Sequence, residues 1–486
     1  MTEGFLLSAI SAAAGLLLGF VFVRALAYLR PGDISRAGGV SLNVPVLAFV
    51  AASAIAATLF FGLVPAIGSL KFDLTRTLRG AGGDTQPRTR RTLRSALVVA
   101  EVALGFVLVI GAGLMLRTLA NIAHVDPGFD PRNVLTFEIS LPGSRYDSTP
   151  AMIDFSRKWE TRLAAIPGVA SAGSSYDVPL DDYPNWYGPY KPDNVSGSQA
   201  AGLAADNRCV TPGYFRAMGA HLLAGRVFDG HDQAATRPVA IVDDMLASQT
   251  WPGQSAIGKR IQSERLTERG FEPVWAEVVG VIGHLHNQSL ARKTRPQIYM
   301  PFEQSPRNHL SYAVRTKVDP LSLVPTLRRE LRAVDKDLAM AKIRPMLDNM
   351  SHAKAPTTFV AVMAAVFAAL ALFLAALGIY GVIHYSFLQR RREMGVRIAL
   401  GASKRDLLQL VFSEGLTLSI FGLILGLTAA LLTSQYLQSL VYGVSPRDPA
   451  TYMLAAATLA GAAIFGCWRP AVQAAKTSPS EAIRAE

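Results

Sequence analysis

The stretch QRRREMGVRIALGASKRD, from Gln389 to Asp406, lies between two long apolar runs and carries six basic residues against two acidic ones. A short charged segment between two apolar runs is typical of a turn on the cytoplasmic face of a membrane. Gly401 can end a helix in the left-handed conformation, and Ser403 has the spacing to Asp406 of an N-terminal capping box. We therefore predict a separate short helix over residues 391–400.

The composition of the chain indicates a membrane protein with a sizeable polar portion. Half of its 486 residues are hydrophobic, only 17% are charged, and the mean hydropathy is +0.26. The net charge of +12 comes from basic residues beside the apolar runs, so membrane topology explains it and no nucleic-acid partner is predicted. Cys209 lies in a polar region and Cys467 in an apolar run, so we predict no disulfide between them.

Six segments are long and apolar enough to cross a bilayer as helices. They cover residues 5–29, 44–69, 95–120, 357–387, 407–434 and 450–468. The basic stretch from Lys71 to Arg94 and the stretch Gln389–Asp406 should both be cytoplasmic. Residues 121–355 should then lie outside, and the fold class predicted is a six-helix transmembrane bundle with a large extracytoplasmic α/β domain.

The external region shows the patterns of a mixed α/β domain, in which several βαβ units are plausible. The segment STPAMIDFSRKWETRLAAIPG predicts a helix with Ser148 or Thr149 as its cap, Pro150 in its first turn and Pro167-Gly168 at its end. A further helix is expected near Leu321 to Val334. Strands are expected over NVLTFEISL, PVAIVD, WAEVVGVIG and LSYAVRT.

The two ends of the chain resemble each other, which indicates an internal repeat. GLLLG (Gly15–Gly19) matches GLILG (Gly422–Gly426), and VSLNVP (Val40–Pro45) matches VSPRDP (Val444–Pro449). Residues 1–80 therefore look like the last two helices and tail of a unit whose complete copy follows a basic linker, 81–94. Either Met1 begins a shortened protein or upstream sequence is missing.

Two motifs could indicate a ligand, and both have a simpler interpretation. GQSAIGKR (Gly253–Arg260) resembles a phosphate loop, but Arg260 stands where the magnesium-binding hydroxyl should be, so a glycine-bounded turn is favoured. In GHLHNQ, His284 and His286 are candidate metal ligands, but no nearby cysteine or carboxylate completes a set, so a solvated strand end is favoured. No catalytic motif and no metal site are predicted.

Two acidic residues are expected inside the membrane. Glu101 and Glu414 follow a basic residue by seven to nine positions, which places each roughly 10 to 14 Å along its helix. A carboxylate at that depth faces the bundle, where it serves either a structural hydrogen bond, the favoured alternative, or a proton or substrate path. The pairs Gly15/Gly19 and Gly422/Gly426 predict close helix packing.

Several motifs, taken in order, resemble those of ABC-transporter permeases of the FtsX-like and MacB-like kind. RRREMGVRIALGASKRDLLQLVFSEGLTLSIFGLILG resembles the segment after their second transmembrane helix, and RPAVQAAKTSPSEAIRAE resembles their tail. VTPGYFRAMGAHLLAGRVF, AIVDDMLASQTWPGQSAIGKRI and VVGVIGHL resemble the MacB-like periplasmic core domain. The doubled arrangement is similar to acidobacterial permeases with two FtsX-like units.

The resemblance implies a domain order and a set of partners. It implies a transmembrane helix over 95–120, an external domain over 121–355 and an FtsX-like domain with three helices over 357–486. The helix over 391–400, which residue patterns alone leave open as a topology anchor or a docking helix, becomes a coupling helix that docks on a separate cytoplasmic ATPase. Its contact candidates are Arg391, Arg392, Glu393, Met394, Gly395 and Arg397. The chain would bind no cofactor itself, with ATP bound by the partner.

The implied place is the bacterial inner membrane, with a dimer of permease units and with a periplasmic partner protein as a further candidate. The leading function is export of a periplasmic or membrane-embedded substrate. The alternative is mechanical signalling to a cell wall hydrolase or a sensor kinase. A third hypothesis, a membrane-anchored binding protein without an ATPase, is opposed by the intact coupling motif.

Overall fold

The computed structural model describes residues 88–181, 185–193, 202–267, 270–290, 294–389, 403–438 and 441–476, with scattered helical positions between residues 10 and 55. The helices predicted over 5–29 and 44–69 fall outside these stretches apart from the scattered positions, and the helix predicted over 391–400 falls entirely outside them. The total of six membrane helices therefore stays a prediction.

The described part of the chain contains eight α-helices and twelve strands. The helices are α1 (Arg88–Ala123), α2 (Thr149–Ala165), α3 (Tyr214–Met218), α4 (Asp244–Thr250), α5 (Val324–Val334), α6 (Met346–Gln389), α7 (Lys404–Leu437) and α8 (Pro449–Lys476). The strands are β1 (Val134–Ser140), β2 (Val169–Ser175), β3 (Tyr187–Pro189), β4 (Lys191–Pro192), β5 (Ala204–Val210), β6 (Leu222–Gly225), β7 (Val239–Asp243), β8 (Arg260–Thr267), β9 (Gly270–Ile282), β10 (Gln297–Pro301), β11 (His309–Thr316) and β12 (Ala341–Pro345).

Four of these helices are long and apolar enough to cross a bilayer, and they match the four predicted after residue 90. The candidate spans are Arg94–Ala123, Met346–Gln389, Gly415–Tyr436 and Pro449–Pro470. The largest difference concerns α6, which begins at Met346 whereas the sequence predicted a start at residue 357. Proline removes a helical hydrogen bond, yet Pro356 lies inside this helix.

The chain divides into two compact units. The first takes in Met1–Val109, Val366–Leu432 and Tyr452–Glu486, and the second takes in Ile110–Ala365 and Thr433–Thr451. The second unit contains all twelve strands, which we call the sheet domain (β1 to β12), together with the ends of α1 and α6 that adjoin it.

The twelve strands form one sheet in the order β12-β1-β11-β2-β5-β10-β7-β9-β8-β4, with β3 paired to β5 and β6 paired to β9. Two pairs are parallel, β5 with β10 and β7 with β9. The remaining pairs are antiparallel. The expectation of several βαβ units is therefore wrong for most of the sheet, because hairpins and long returns connect its strands instead.

Alternation along β1 places its apolar side chains under two helices. Leu135, Phe137 and Ile139 are buried in one core with Trp159 and Leu163 of α2 and with Leu327 and Leu331 of α5. Each fully buried large apolar side chain contributes about 1.5–3 kcal/mol to folding. Helix α2 begins as predicted with Ser148 at the N-cap and Pro150 in the first turn, although the Ser148 side chain makes no capping hydrogen bond.

Candidate functional site: the junction at the root of the sheet domain

The long helices α1 and α6 are connected to neighbouring strands of the sheet. Helix α1 ends at Ala123 and leads into β1, while β12 ends at Pro345, immediately before α6. Strands β1 and β12 are hydrogen-bonded, with Leu135 opposite Pro345 and Thr136 opposite Arg344. The root of the sheet domain is therefore one pair of strands, and we call this region, with its helix ends and residues 441–448, the junction.

Helix ends form part of the apolar core at the junction. Met346 is fully buried and Ile122 is 2% exposed, in the same core as Val134 of β1. Met350 and Ala353 pack against this core from the next turns of α6. Spacings of four and three residues place these side chains on one helix face, so the first two turns of α6 are a structural part of the sheet domain.

Hydrogen bonds connect the first turn of α6 to both root strands. The Asn349 side-chain amide donates to Thr136 Oγ1 at 3.1 Å, and Thr136 Oγ1 donates to the carbonyl oxygen of Arg344 at 3.0 Å. Both side chains are almost fully buried. A hydrogen bond in such a place is stronger than in water and more costly to leave unmade.

An ion pair made by a lysine also connects β12 to β1. Lys342 of β12 lies in the left-handed region with φ +45°, and its Nζ lies 2.8 Å from Glu138 Oε1 of β1 and 3.5 Å from Asp181 Oδ1. Both carboxylates are nine-tenths buried. Burial lowers the pKa of the nearby His309 to about 4, so Lys342 is the cation at this point near neutral pH.

The end of α1 also contacts the connection between α7 and α8, and all of these residues belong to the second unit. Arg117 forms an ion pair with Asp448, and the Asn121 amide donates to the carbonyl oxygen of Gly443 at 3.0 Å. Asp448 in turn accepts from the backbone N–H of Thr451 at 2.8 Å, in the first turn of α8. Three of the four long helices therefore meet the junction through specific polar contacts.

Within the first unit, small residues allow α7 to approach α1. A Cβ placed on Gly422 would collide with Val102, and one on Gly426 would lie 2.8 Å from the carbonyl oxygen of Ala103. Glycines at these positions permit close helix contact. For Gly15 and Gly19, a Cβ would meet nothing within 4 Å in the described structure.

The remaining predicted membrane residues have different outcomes. The Glu101 carboxylate lies directly against Gly378 of α6, so it faces the bundle. Glu414 belongs to α7, but its side chain lies outside the described residues. The six coupling-helix candidates, from Arg391 to Arg397, also lie outside the described residues.

The two ligand-like motifs take structural roles. Residues 251–259 form turns, with Gly253 at φ +72° and Gly258 at φ +82°, as the glycine-bounded interpretation predicted. The expectation of a solvated strand end at His284 is wrong, because its side chain is 11% exposed and its Nδ1 lies 2.5 Å from the fully buried carboxylate of Asp243. Among the described residues, no group of three or more histidine, cysteine or acidic side chains could hold a metal ion, and both cysteines are free and buried.

The junction was largely missed by sequence reasoning. Asn349 contacts Thr136 across 213 positions, and Arg117 contacts Asp448 across 331. Such pairs leave no local pattern. A usable signal was the polar segment before Pro356, in which Met346, Met350 and Ala353 already have helical spacing.

Four candidate membrane spans and an α/β sheet domain indicate a multi-pass membrane protein with one large folded domain between its first two described spans. Residues 95–334 match the family model of the MacB-like periplasmic core domain, and residues 365–479 match the FtsX-like permease C-terminal model. The chain belongs to the MacB-like and FtsX-like permease family. It is an inner-membrane protein with a large extracytoplasmic domain, which contains the sheet domain.

Similar proteins include two export proteins. The macrolide export ATP-binding/permease protein MacB of Sodalis glossinidius (strain morsitans) is 28% identical over 56% of this chain and 42% of its own length. MacB of Brucella abortus (strain 2308) is 30% identical over 36% of this chain and 27% of its own length. The crystal structure of the periplasmic region of MacB from Actinobacillus actinomycetemcomitans aligns at 15% identity over 45% of this chain and 92% of that one, with a TM-score of 0.29. The chain thus spans less than half the length of these curated relatives.

Proposed function

We propose that this chain is the membrane subunit of an ABC transporter. In this proposal, a separate cytoplasmic ATPase binds and hydrolyses ATP, and the resulting motion of the helices moves the sheet domain to export or release a periplasmic or membrane-embedded substrate. The chain is not itself the ATPase, and two permease units act together. The names of the two MacB relatives combine ATP binding with a permease, which supports the pairing of these two functions.

The observation that carries the proposal is the continuity of α6. It has 44 residues, which corresponds to about 66 Å at a rise of 1.5 Å per residue. This is about twice the thickness of the hydrocarbon core. Its first two turns contribute to the core of the sheet domain, and its last residue, Gln389, precedes the predicted coupling helix. Displacing the cytoplasmic end of such a helix would move the strands attached to its other end.

The energetics at the junction support a rigid attachment. Met346 is fully buried, Asn349 is hydrogen-bonded to β1, and Lys342 is ion-paired to Glu138. Separating α6 from the sheet would break the first two interactions at once, while the ion pair keeps β12, which leads directly into α6, attached to β1. A displacement of α6 therefore moves β12 and β1 before it detaches the helix.

The coupling step is tested with the full chain and the ATPase that copurifies with it. Replacing Met394 and Gly395 with aspartate should abolish stimulation of ATP hydrolysis while membrane insertion stays intact, because charge would enter an apolar docking contact. Val396→Asp is a matched control on another face of the predicted helix and should retain stimulation. Unchanged ATP hydrolysis in the Met394→Asp, Gly395→Asp variant would contradict the proposal.

The rigid junction equally suits a second function, mechanical signalling to a cell wall hydrolase or a sensor. In that case the sheet domain moves in order to activate a protein bound to it. Crosslinking of the sheet domain in intact cells separates the two functions. Capture of an exported molecule supports transport, whereas capture of a hydrolase or kinase whose activity depends on ATP in the permease complex supports signalling.

A further inference from the structure

Arg307 of the sheet domain has an unusual environment for a buried cation. It lies in the loop before β11 and is only 6% exposed. Its guanidinium carbon lies 4.0 Å from the ring centre of Trp186, 5.2 Å from that of Phe271 and 5.7 Å from that of Tyr176. Three aromatic rings thus lie within 6 Å of the cation.

The edge of the same guanidinium is unpaired. Arg307 Nε and Nη2 are buried and have no hydrogen-bond partner among the described residues. These two atoms carry the parallel N–H bonds that bind both oxygens of one carboxylate side by side. A buried donor without an acceptor is costly to the folded state, so an unpaired pair of this kind requires an explanation.

Arg157 shows what the occupied arrangement looks like in the same domain. Its Nε donates to Glu303 Oε1 at 2.6 Å, and its Nη2 donates to Glu303 Oε2 at 2.6 Å. The corresponding atoms of Arg307 face no carboxylate in the described structure. The two arginines also differ in burial, because the Arg157 side chain is 56% exposed whereas Arg307 is buried.

The cluster is held in place by the backbone of the sheet domain. The carbonyl oxygen of Trp186 accepts from the N–H of Asn207 at 2.9 Å, and the N–H of Tyr176 donates to Cys209 at 3.1 Å. Phe271 is the second residue of β9 and lies opposite Leu266 of β8. Three separate segments therefore bring their rings to one cation, which is the arrangement of a preorganised site.

The structure points to a ligand of defined chemistry. We propose that Arg307, Trp186, Phe271 and Tyr176 form a binding site for an organic monocarboxylate, whose two oxygens pair with Arg307 Nε and Nη2 while its apolar body packs on the rings. Phe271 is 56% exposed, so the cluster adjoins solvent on the side of this ring. The site concerns binding by the sheet domain and does not rest on the proposed function.

The charges around the cluster favour a carboxylate over a phosphate. His309, whose ring centre lies 6.3 Å from that of Tyr176, has its pKa lowered to about 4 by burial and is therefore neutral at physiological pH. Lys342 is already paired with Glu138. One guanidinium matches one planar anion with two oxygens, whereas a phosphate dianion needs more donors than this.

The test is calorimetric titration of the full chain, held in amphipol, with 3-phenylpropionate. Saturable binding is expected, and neutral 3-phenylpropionamide should not bind. Arg307→Gln should weaken the affinity at least about tenfold, because it removes a charge-assisted pair of hydrogen bonds. Arg157→Gln, which alters an arginine already paired with Glu303, is the matched control and should leave the affinity unchanged.

A second variant, Phe271→Ala, tests the site independently in case Arg307→Gln does not fold. Phe271→Ala changes a largely exposed ring and should weaken binding while leaving the circular dichroism spectrum unchanged. The proposal is overturned if the wild-type chain shows no saturable binding, if Arg307→Gln folds and binds as tightly as wild type, or if the amide binds as tightly as the carboxylate. Tighter binding of inorganic phosphate would overturn the assignment to carboxylates.

Discussion

The attachment of α6 to the sheet domain can be tested by truncating one buried side chain. Met346 is fully buried in the core that also contains Ile122 and Val134. Replacing it with alanine removes the end of the side chain and leaves a cavity, which costs about 2–5 kcal/mol in buried sites. The next residue, Leu347, is 50% exposed, so Leu347→Ala is a matched control in the same helical turn, with an expected change of at most about 0.5 kcal/mol.

Hydrogen exchange measured by mass spectrometry on the full chain is the appropriate assay, because it reports the free energy of local opening. A loss of 2 kcal/mol corresponds to about a 30-fold loss of protection. This loss should appear in peptides that cover β1, β12 and the first turns of α6. Equal protection in Met346→Ala and Leu347→Ala would refute the claim that the helix is fixed in the core.

Three other perturbations test separate parts of the structure. Gly426→Ala should destabilise the first unit by about 1–3 kcal/mol, because the added methyl group meets backbone atoms of α1. Gly461→Ala, where the added methyl group meets open space, should be neutral. Equal thermal unfolding temperatures for the two variants would contradict this packing. Arg208→Met leaves the buried carboxylate of Asp177 without its ion-pair partner and should lower the free energy of unfolding in denaturant by about 3–5 kcal/mol. Lys158→Met, in an exposed ion pair, should lower it by less than about 0.5 kcal/mol. Similar losses would show that burial of the ion pair is unimportant. Burial raises the pKa of Glu160 from 4.5 to about 7. As the pH rises, Glu160 in the unfolded state releases its proton before Glu160 in the folded state does, so wild-type stability should fall as the pH rises from 4.5 to 7. Glu160→Gln should abolish this dependence on pH. Parallel stability curves for the two proteins would refute the raised pKa of Glu160.

The elements of the fold were predictable where periodicity is strong. Strand β1 and helix α2 alternate or repeat cleanly, and the four membrane helices after residue 90 are continuous apolar runs. The start of α6 was not predictable to the same extent, because its first turns are polar and Pro356 resembles a boundary. Antiparallel pairing was also missed, since strand order depends on contacts far apart in sequence.

The functional features also differ in how far the sequence predicts them. Close helix packing at Gly422 and Gly426 was predicted from a local motif. The junction pairs Asn349–Thr136 and Arg117–Asp448 join segments that are distant in sequence, so no local motif indicates them. The environment of Arg307 also depends on three separate loops and strands. Local patterns thus reveal helices and their spacing, while sites built from several segments appear only in the folded chain.

We propose that ATP-driven motion at the cytoplasmic end of α6 reaches the sheet domain, and one distance measurement tests this coupling most directly. His231 is fully on the surface, with a side chain 95% exposed, and the native Cys209 and Cys467 are buried. A spin label at His231→Cys therefore reports the separation of two sheet domains in the complex with its ATPase. We expect this distance to change between the nucleotide-free and ATP-bound complexes in the otherwise wild-type chain and to stay constant with Met394→Asp. A distance that does not change with nucleotide, or that changes equally in Met394→Asp, would contradict this coupling.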